Sequence, residues 1–237
     1  MANAYLLTYN TALAAGWAYI LFLVADTVYN GGWTAEVYER TSLPLKICQT
    51  AAGMEVLHSV LGVVKSPFFT TFIQVLSRYW ALWGIVEVAP EAVKTGALKL
   101  FTVGDVTFQL NLISLLFCWS LTEILRYGFY AAKEAGYVPY PLLWLRYSTF
   151  VILYPLGVAS EMTMVYLAMP TIRKERPLSF SMPNSINFAF DYYIFCWLAI
   201  ACYVPGLPEL YFHMLRQRKK ILGKPSQHAK KAALKVK

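Results

Sequence analysis

Long apolar runs separated by short polar connectors repeat along the 237 residues. A bilayer core takes about 20 apolar residues at helical rise. Six stretches approach that length: Thr11 to Tyr29, Leu43 to Val64, Pro67 to Val88, Val103 to Tyr127, Pro141 to Ala168 and Ile186 to Val204. The pattern predicts an all-α integral membrane protein, a bundle of about six transmembrane helices forming one domain over 1–212, with a basic tail over 213–237. The second stretch is the weakest, because Lys46, Gln49, Glu55 and His58 interrupt it. Lipid does not tolerate such groups, so that helix should turn its polar face to the bundle interior. Breakers mark the connectors: Gly31-Gly32, Ser66-Pro67, Pro90, Gly136 to Pro141, Pro170, Pro177, Pro183 and Pro205 to Pro208. Trp33, Tyr137, Tyr140, Trp144 and Tyr203 cluster there, as an interfacial aromatic belt requires. No internal repeat is present.

Composition sharpens this picture. Hydrophobic residues make up 58% and charged residues 14%, against roughly 25% charged in a soluble domain, which excludes a freely soluble globule. The net charge of +8 could point to nucleic acid, but nine of the 21 Lys and Arg residues follow His213. The excess is therefore a juxtamembrane tail suited to an anionic cytosolic leaflet, and no nucleic-acid partner is expected. Cys48, Cys118, Cys196 and Cys202 each sit inside an apolar run, with no CxxC pair and no histidine at ligand spacing, so neither a disulfide framework nor a metal site is inferred. The N-terminal stretch has no Lys or Arg and no convincing cleavage site, and reads as a retained first span. No N-x-S/T sequon occurs. A cytosolic tail and an even number of spans put both termini on the cytosolic side. The loop bearing Arg173, Lys174 and Arg176 then falls on the lumenal side, against the positive-inside trend.

Charged groups at membrane depth are costly and need a reason. Asp26, Glu55, His58, Arg78, Glu123, Arg126, Arg146, Glu161 and Asp191 lie within or at the edges of the six stretches, more than a passive anchor carries. Glu123 and Arg126 are one turn apart on a helix. They form either an ion pair that fixes packing or a site where Arg126 meets phosphate near the cytosolic end. His58, with Glu55 three residues before it, reads as a buried hydrogen-bonded histidine rather than a catalytic one. Gln74 and Arg78, four apart, make one polar stripe.

The fifth stretch carries the most chemistry. Tyr147, Tyr154 and Glu161 recur every seven residues, so they share one helix face with a drift of about 20° per heptad. Arg146 lies beside the start of that stripe. Pro155 and Gly157 permit a bend and a close approach between Tyr154 and Glu161. Seven residues of straight helix separate the two Cα atoms by about 10.5 Å, and long side chains can converge across that gap. A phenol and a carboxylate in a dry cavity suit proton transfer. Two polar residues satisfying one another in a helix interface is the competing reading.

Five segments decide between these readings. QTAAGMEVLHSVLGVVKSP, WSLTEILRYGFY, LWLRYSTFVILYPLGVASE, MPNSINFAFDYY and YVPGLPELYFHMLRQRKK follow one another along nearly the whole chain. Together they resemble the membrane 3-hydroxyacyl-CoA dehydratases of very-long-chain fatty-acid elongation, the protein-tyrosine-phosphatase-like A or PASTICCINO-type family. The resemblance implies that Tyr154 and Glu161 are the catalytic pair and that water is removed from (3R)-3-hydroxyacyl-CoA to give trans-2-enoyl-CoA. It also implies residence in the endoplasmic reticulum membrane. The implied partners are acyl-CoA, membrane lipid and the elongase-cycle enzymes, namely the condensing enzyme, the ketoacyl-CoA reductase and the enoyl-CoA reductase. No cofactor is expected. The C-terminal LKVK is an incomplete dilysine retrieval signal. The phosphatase name asks for a cysteine with an arginine six residues on. The positions six after the four cysteines are Met54, Ile124, Cys202 and Pro208, so that chemistry is absent.

Within the dehydratase reading, Glu161 as base with Tyr154 as donor, the reverse, and one carboxyl serving both steps all satisfy the chemistry. The first is easiest, because a phenol of reference pKa about 10 is a reluctant base. Lys65, Arg126, Lys133 and Arg146 fall at or near cytosolic helix ends, where Arg126 and Arg146 are the candidates for CoA phosphates. A multi-span lipid transporter or a non-enzymatic elongase scaffold is the alternative from a different class.

Overall fold

The computed structural model describes residues 3–64, 66–183, 185 and 187–223. Lys65 and residues 224–237 of the basic tail lie outside the described residues, as does Ile186, the expected start of the sixth stretch. The elements in order are α1 (Ala4–Tyr29), α2 (Thr34–Ala51), α3 (Met54–Val60), α4 (Phe68–Tyr79) running into a π-helical segment (Trp80–Val86), α5 (Pro90–Thr95), β1 (Leu98–Val103), β2 (Val106–Leu110), α6 (Leu112–Glu134), α7 (Tyr140–Ser148), α8 (Phe150–Glu175) and α9 (Tyr192–Leu222). The chain is thus mostly helical, and α1, α6, α8 and α9 are long and apolar enough to cross a membrane.

The expected count of about six spans is met only in part, for physical reasons that differ by segment. The Leu43 to Val64 stretch breaks at Ala52 and Gly53 into α2 and α3, and α2 carries Glu36, Glu39, Arg40 and Lys46. At Gly53 the Tyr79 hydroxyl occupies the space a Cβ would need, so α4 reaches the backbone there. Pro67 to Val88 winds as α-helix and then as π-helix. The Val103 to Tyr127 stretch is helical only from Leu112, because β1 and β2 form an antiparallel hairpin ahead of it. A register shift between Lys99 and Phe101 places Phe101 opposite Phe108, and these two rings stack. Asn111 then caps α6, accepting from the Ser114 amide at 3.1 Å.

Several expected breakers sit inside helices instead. Pro170 lies within α8, and Pro205 and Pro208 lie within α9, which continues to Leu222 across the expected tail boundary. An apolar surrounding offers the backbone no alternative partner, so the helix persists through residues that would end it in water.

Successive long elements alternate in direction. Arg40 pairs with Asp26 at 2.7 Å, and the Tyr9 hydroxyl donates to the Ala51 carbonyl at 3.0 Å, so α2 returns along α1. Lys46 and Tyr38 meet Glu87, just beyond the π segment, while Tyr79 meets Thr50, so α4 runs opposite to α2. Tyr9 meets Tyr127, and α6 lies along α1. On α9, Tyr203 and Leu207 face Glu161 and Tyr154 of α8, and Arg218 reaches Ser148. The N-terminus, the ends of α2, α6 and α9, and the start of α7 therefore share one end of the bundle.

The polarity is that of an inverted globule. Trp17, Ile20, Leu82, Leu116 and Met164 form the tight core, yet Gln49, Glu123 and Ser160 are buried with them. Phe22, Ile47, Phe69 and Ile152 are at least 60% exposed on the outer surface, a distribution suited to lipid. Trp33, Tyr137, Tyr140 and Trp144 are exposed near helix ends, as the belt requires.

Candidate active site

A cavity of about 800 Å³ runs from the shared end of the bundle into its middle. Lys133 on α6, Arg146 and Tyr147 on α7 and Gln217 on α9 line its mouth. Trp119 on α6, Gly157 and Glu161 on α8, and Tyr203 on α9 line its depth. The stripe predicted from heptad spacing is real: Tyr147, Tyr154 and Glu161 all open onto this space, although Thr149 interrupts the helix between α7 and α8.

Glu161 is held from two sides. The Trp119 indole N–H donates to Oε1 at 2.8 Å, and the Tyr203 hydroxyl donates to Oε2 at 3.4 Å. α6 and α8 come close here, since a Cβ on Gly157 would lie 3.5 Å from the Cys118 Cβ, and Ser114 and Ser160 bridge the pair at 2.8 Å. Tyr154 is braced differently. Its ring stacks on Tyr211 at 6.0 Å, and its hydroxyl donates to the Leu207 carbonyl at 3.4 Å. That bond is long, which leaves the phenol proton available to a bound group.

A second cluster fills the side of the cavity nearer α3. Arg126 donates from Nη1 and Nη2 to the two Glu55 oxygens at 2.6 and 2.8 Å, and from Nε to Glu123 at 2.9 Å. Arg78 pairs with the other Glu123 oxygen, and the Tyr127 hydroxyl donates to Glu55. Two guanidiniums and two carboxylates balance, and the pair expected from the one-turn spacing of Glu123 and Arg126 is present. The sequence offers Arg126 as a phosphate contact near the mouth. The structure places Arg126 on the cavity wall with its donors engaged by the Glu55 and Glu123 carboxylates. His58 is buried beside this cluster, 2.8 Å from the Tyr5 hydroxyl and edge-on to the Tyr9 ring, as its structural reading anticipates.

Arg146 has the opposite surroundings. It has no carboxylate partner among the described residues. Its guanidinium lies 5.3 and 5.1 Å from the Phe129 and Tyr130 ring centroids, its contact with the Tyr130 hydroxyl is long at 3.3 Å, and its buried Nε meets no acceptor among the described residues. The four cysteines are unpaired, with Cys118 and Cys202 on the cavity wall.

Two residues of the site escape the sequence reading. Tyr203 reads there as part of the interfacial belt, but α9 runs on to Leu222 and buries it partly against Glu161. Trp119 opens the WSLTEILRYGFY segment, whose charged residues are Glu123 and Arg126. Its place three residues before Thr122 and four before Glu123, both on the cavity wall, is the only local signal that it faces inward.

No solved structure matches this chain. Similarity to known sequences is extensive. The Arabidopsis thaliana very-long-chain (3R)-3-hydroxyacyl-CoA dehydratase PASTICCINO 2 is 42% identical, with 94% of each chain covered. PASTICCINO 2A of Oryza sativa is 42% identical over 93% of each chain. Human very-long-chain (3R)-3-hydroxyacyl-CoA dehydratase 2 is 36% identical over 97% of this chain and 85% of its own. Residues 49–224 match the family described as protein tyrosine phosphatase-like protein, PTPLA, and the chain belongs to that family.

Proposed function

We propose that this protein is a hydro-lyase that converts (3R)-3-hydroxyacyl-CoA to trans-2-enoyl-CoA in very-long-chain fatty-acid elongation, with Glu161 and Tyr154 as its proton-transfer pair. The observation that carries the reading is a deep cavity with a held carboxylate and a phenol inside it and, at its mouth, an arginine without a carboxylate partner among the described residues. The relatives, named as dehydratases of this substrate class at 36 to 42% identity, support it.

In the reaction, Glu161 takes the C2 proton beside the thioester, and the C–H electrons become the C2=C3 double bond. The C3–O bond breaks, and Tyr154 protonates the departing hydroxyl, which leaves as water. Proton return from Glu161 to the Tyr154 phenolate resets the pair. A carboxylate is the easier base, since the phenol's reference pKa is about 10.

We read the alternating elements as six crossings: α1, α2, α4 with its π segment, α6, α7 with α8, and α9. Both termini and the cavity mouth then face the cytosol, in the endoplasmic reticulum membrane, with the basic end of α9 on the anionic leaflet. The CoA moiety stays outside, its phosphates at Arg146, while the acyl chain points inward past Tyr154. Arg126 is kept as a packing strut. The condensing enzyme and the ketoacyl-CoA reductase would supply substrate, and the enoyl-CoA reductase would remove product.

The full-length chain, purified in detergent and given a long-chain (3R)-3-hydroxyacyl-CoA, should form enoyl-CoA in proportion to enzyme. A transporter or scaffold would form none. In the same assay Arg146→Ala should raise KM about tenfold or more with little change in kcat, the size of a lost charge-assisted hydrogen bond that persists unchanged into the transition state. A phosphate-free pantetheine thioester should be indifferent to that change. Equal losses on both substrates would remove Arg146 from the CoA site.

A further inference from the structure

The two oxygens of the Glu161 carboxylate are held unequally. Oε1 accepts the Trp119 indole N–H at 2.8 Å, a bond of ordinary strength, while Oε2 has only the Tyr203 hydroxyl at 3.4 Å. Trp119 is 7% exposed, so its ring is enclosed within the packed bundle. An indole N–H is a donor only, with no lone pair to offer, so Trp119 can take no proton from the substrate and give none at a working pH. It can aim the carboxylate.

We infer that Trp119 is the positioning residue of this site: it anchors Oε1 of Glu161 so that Oε2 is the oxygen that exchanges the C2 proton, and Tyr203 is the weak partner that bound substrate displaces from Oε2. This rests on the reading of Glu161 as catalytic. A carboxylate with both oxygens tightly bonded would be a poor base, and one with neither bonded would rotate about its terminal torsion, which is broad and has no deep well. One strong and one weak partner gives a fixed plane with one reactive edge. Tyr203, with Trp80 at 6.3 Å behind its ring, stands on the cavity wall where substrate enters that edge.

Trp119→Phe removes the donor and keeps an aromatic ring. It should lower kcat about 100-fold, the cost of a misaimed catalytic group, with KM changed less than about twofold. Replacing the Trp119 indole by benzothiophene, which keeps the bicyclic shape and lacks the N–H, should reproduce that loss and so covers the case in which the phenylalanine variant packs poorly. Tyr203→Phe should lower kcat by less than about tenfold. In a Glu161→Gln background, whose residual rate no longer uses the carboxylate, Trp119→Phe should cause no further loss, because the two residues act as one unit. The benzothiophene variant keeping its full kcat, or Trp119→Phe costing the same factor with and without Glu161, would overturn the positioning role. Full activity in Glu161→Gln alone would instead overturn the catalytic reading of Glu161, so the two failures are distinguishable.

Discussion

Glu161→Gln and Tyr154→Phe, each in the purified full-length chain, should lower the rate of enoyl-CoA formation by about 10²- to 10⁴-fold, the usual contribution of a positioned acid or base. Both substitutions keep the side-chain volume and delete only a transferable proton or its acceptor. The amide that replaces the Glu161 carboxylate can still accept from Trp119 through its carbonyl oxygen. The phenyl ring that replaces the Tyr154 phenol can still stack on Tyr211, losing only a long hydroxyl contact. Thermal unfolding in detergent should therefore shift by only a few degrees while turnover collapses. Near-normal product formation by either variant would remove that residue from the mechanism, whatever its place on the cavity wall.

Arg126→Ala should fail in the opposite way. Its guanidinium bridges Glu55 and Glu123 within the bundle, where the side chains of all three are less than one fifth exposed. Taking it out leaves two carboxylates facing one another with only Arg78 to balance them, and breaking a buried pair in this manner costs about 3–5 kcal/mol. The variant should unfold at much lower temperature, or not accumulate, before any kinetic effect is seen. Arg126→Met combined with Glu55→Leu restores charge balance around Arg78 and Glu123 and fills the space with apolar atoms. It should recover much of the lost stability, since apolar replacement of a whole buried pair is often neutral or better. A folded Arg126→Ala protein whose only defect is a raised KM for CoA thioesters would return Arg126 to the phosphate site.

The linear pattern was sufficient for a good deal of this. Membrane character follows from apolar runs near bilayer length, and the α1, α6, α8 and α9 helices rise from four of those runs, because in lipid a backbone has to satisfy itself within a helix. The stripe of Tyr147, Tyr154 and Glu161 was legible because helical period alone puts residues seven apart on one face. The Glu123 and Arg126 pair was legible for the same reason, as a local relation within one turn.

What the tertiary structure decided were the relations between elements. Glu55 and Arg126 lie 71 positions apart, and only the folding of α3 against α6 gives Arg126 a second carboxylate beyond its helix neighbour Glu123, while Arg146 stays at the mouth without one among the described residues. Tyr203 reads as an interfacial aromatic until α9 is seen to pass unbroken through Pro205 and Pro208, which places it beside Glu161. Residues 103–110 fall inside the expected Val103 to Tyr127 stretch, yet they belong to a hairpin whose pairing depends on a register shift that no single strand announces. Periodicity specifies which face of a helix is polar, because the face is a property of one chain segment. It does not specify which other face it meets, because that depends on packing geometry summed over the whole bundle, and in this protein the roles of Arg126, Trp119 and Tyr203 are set there.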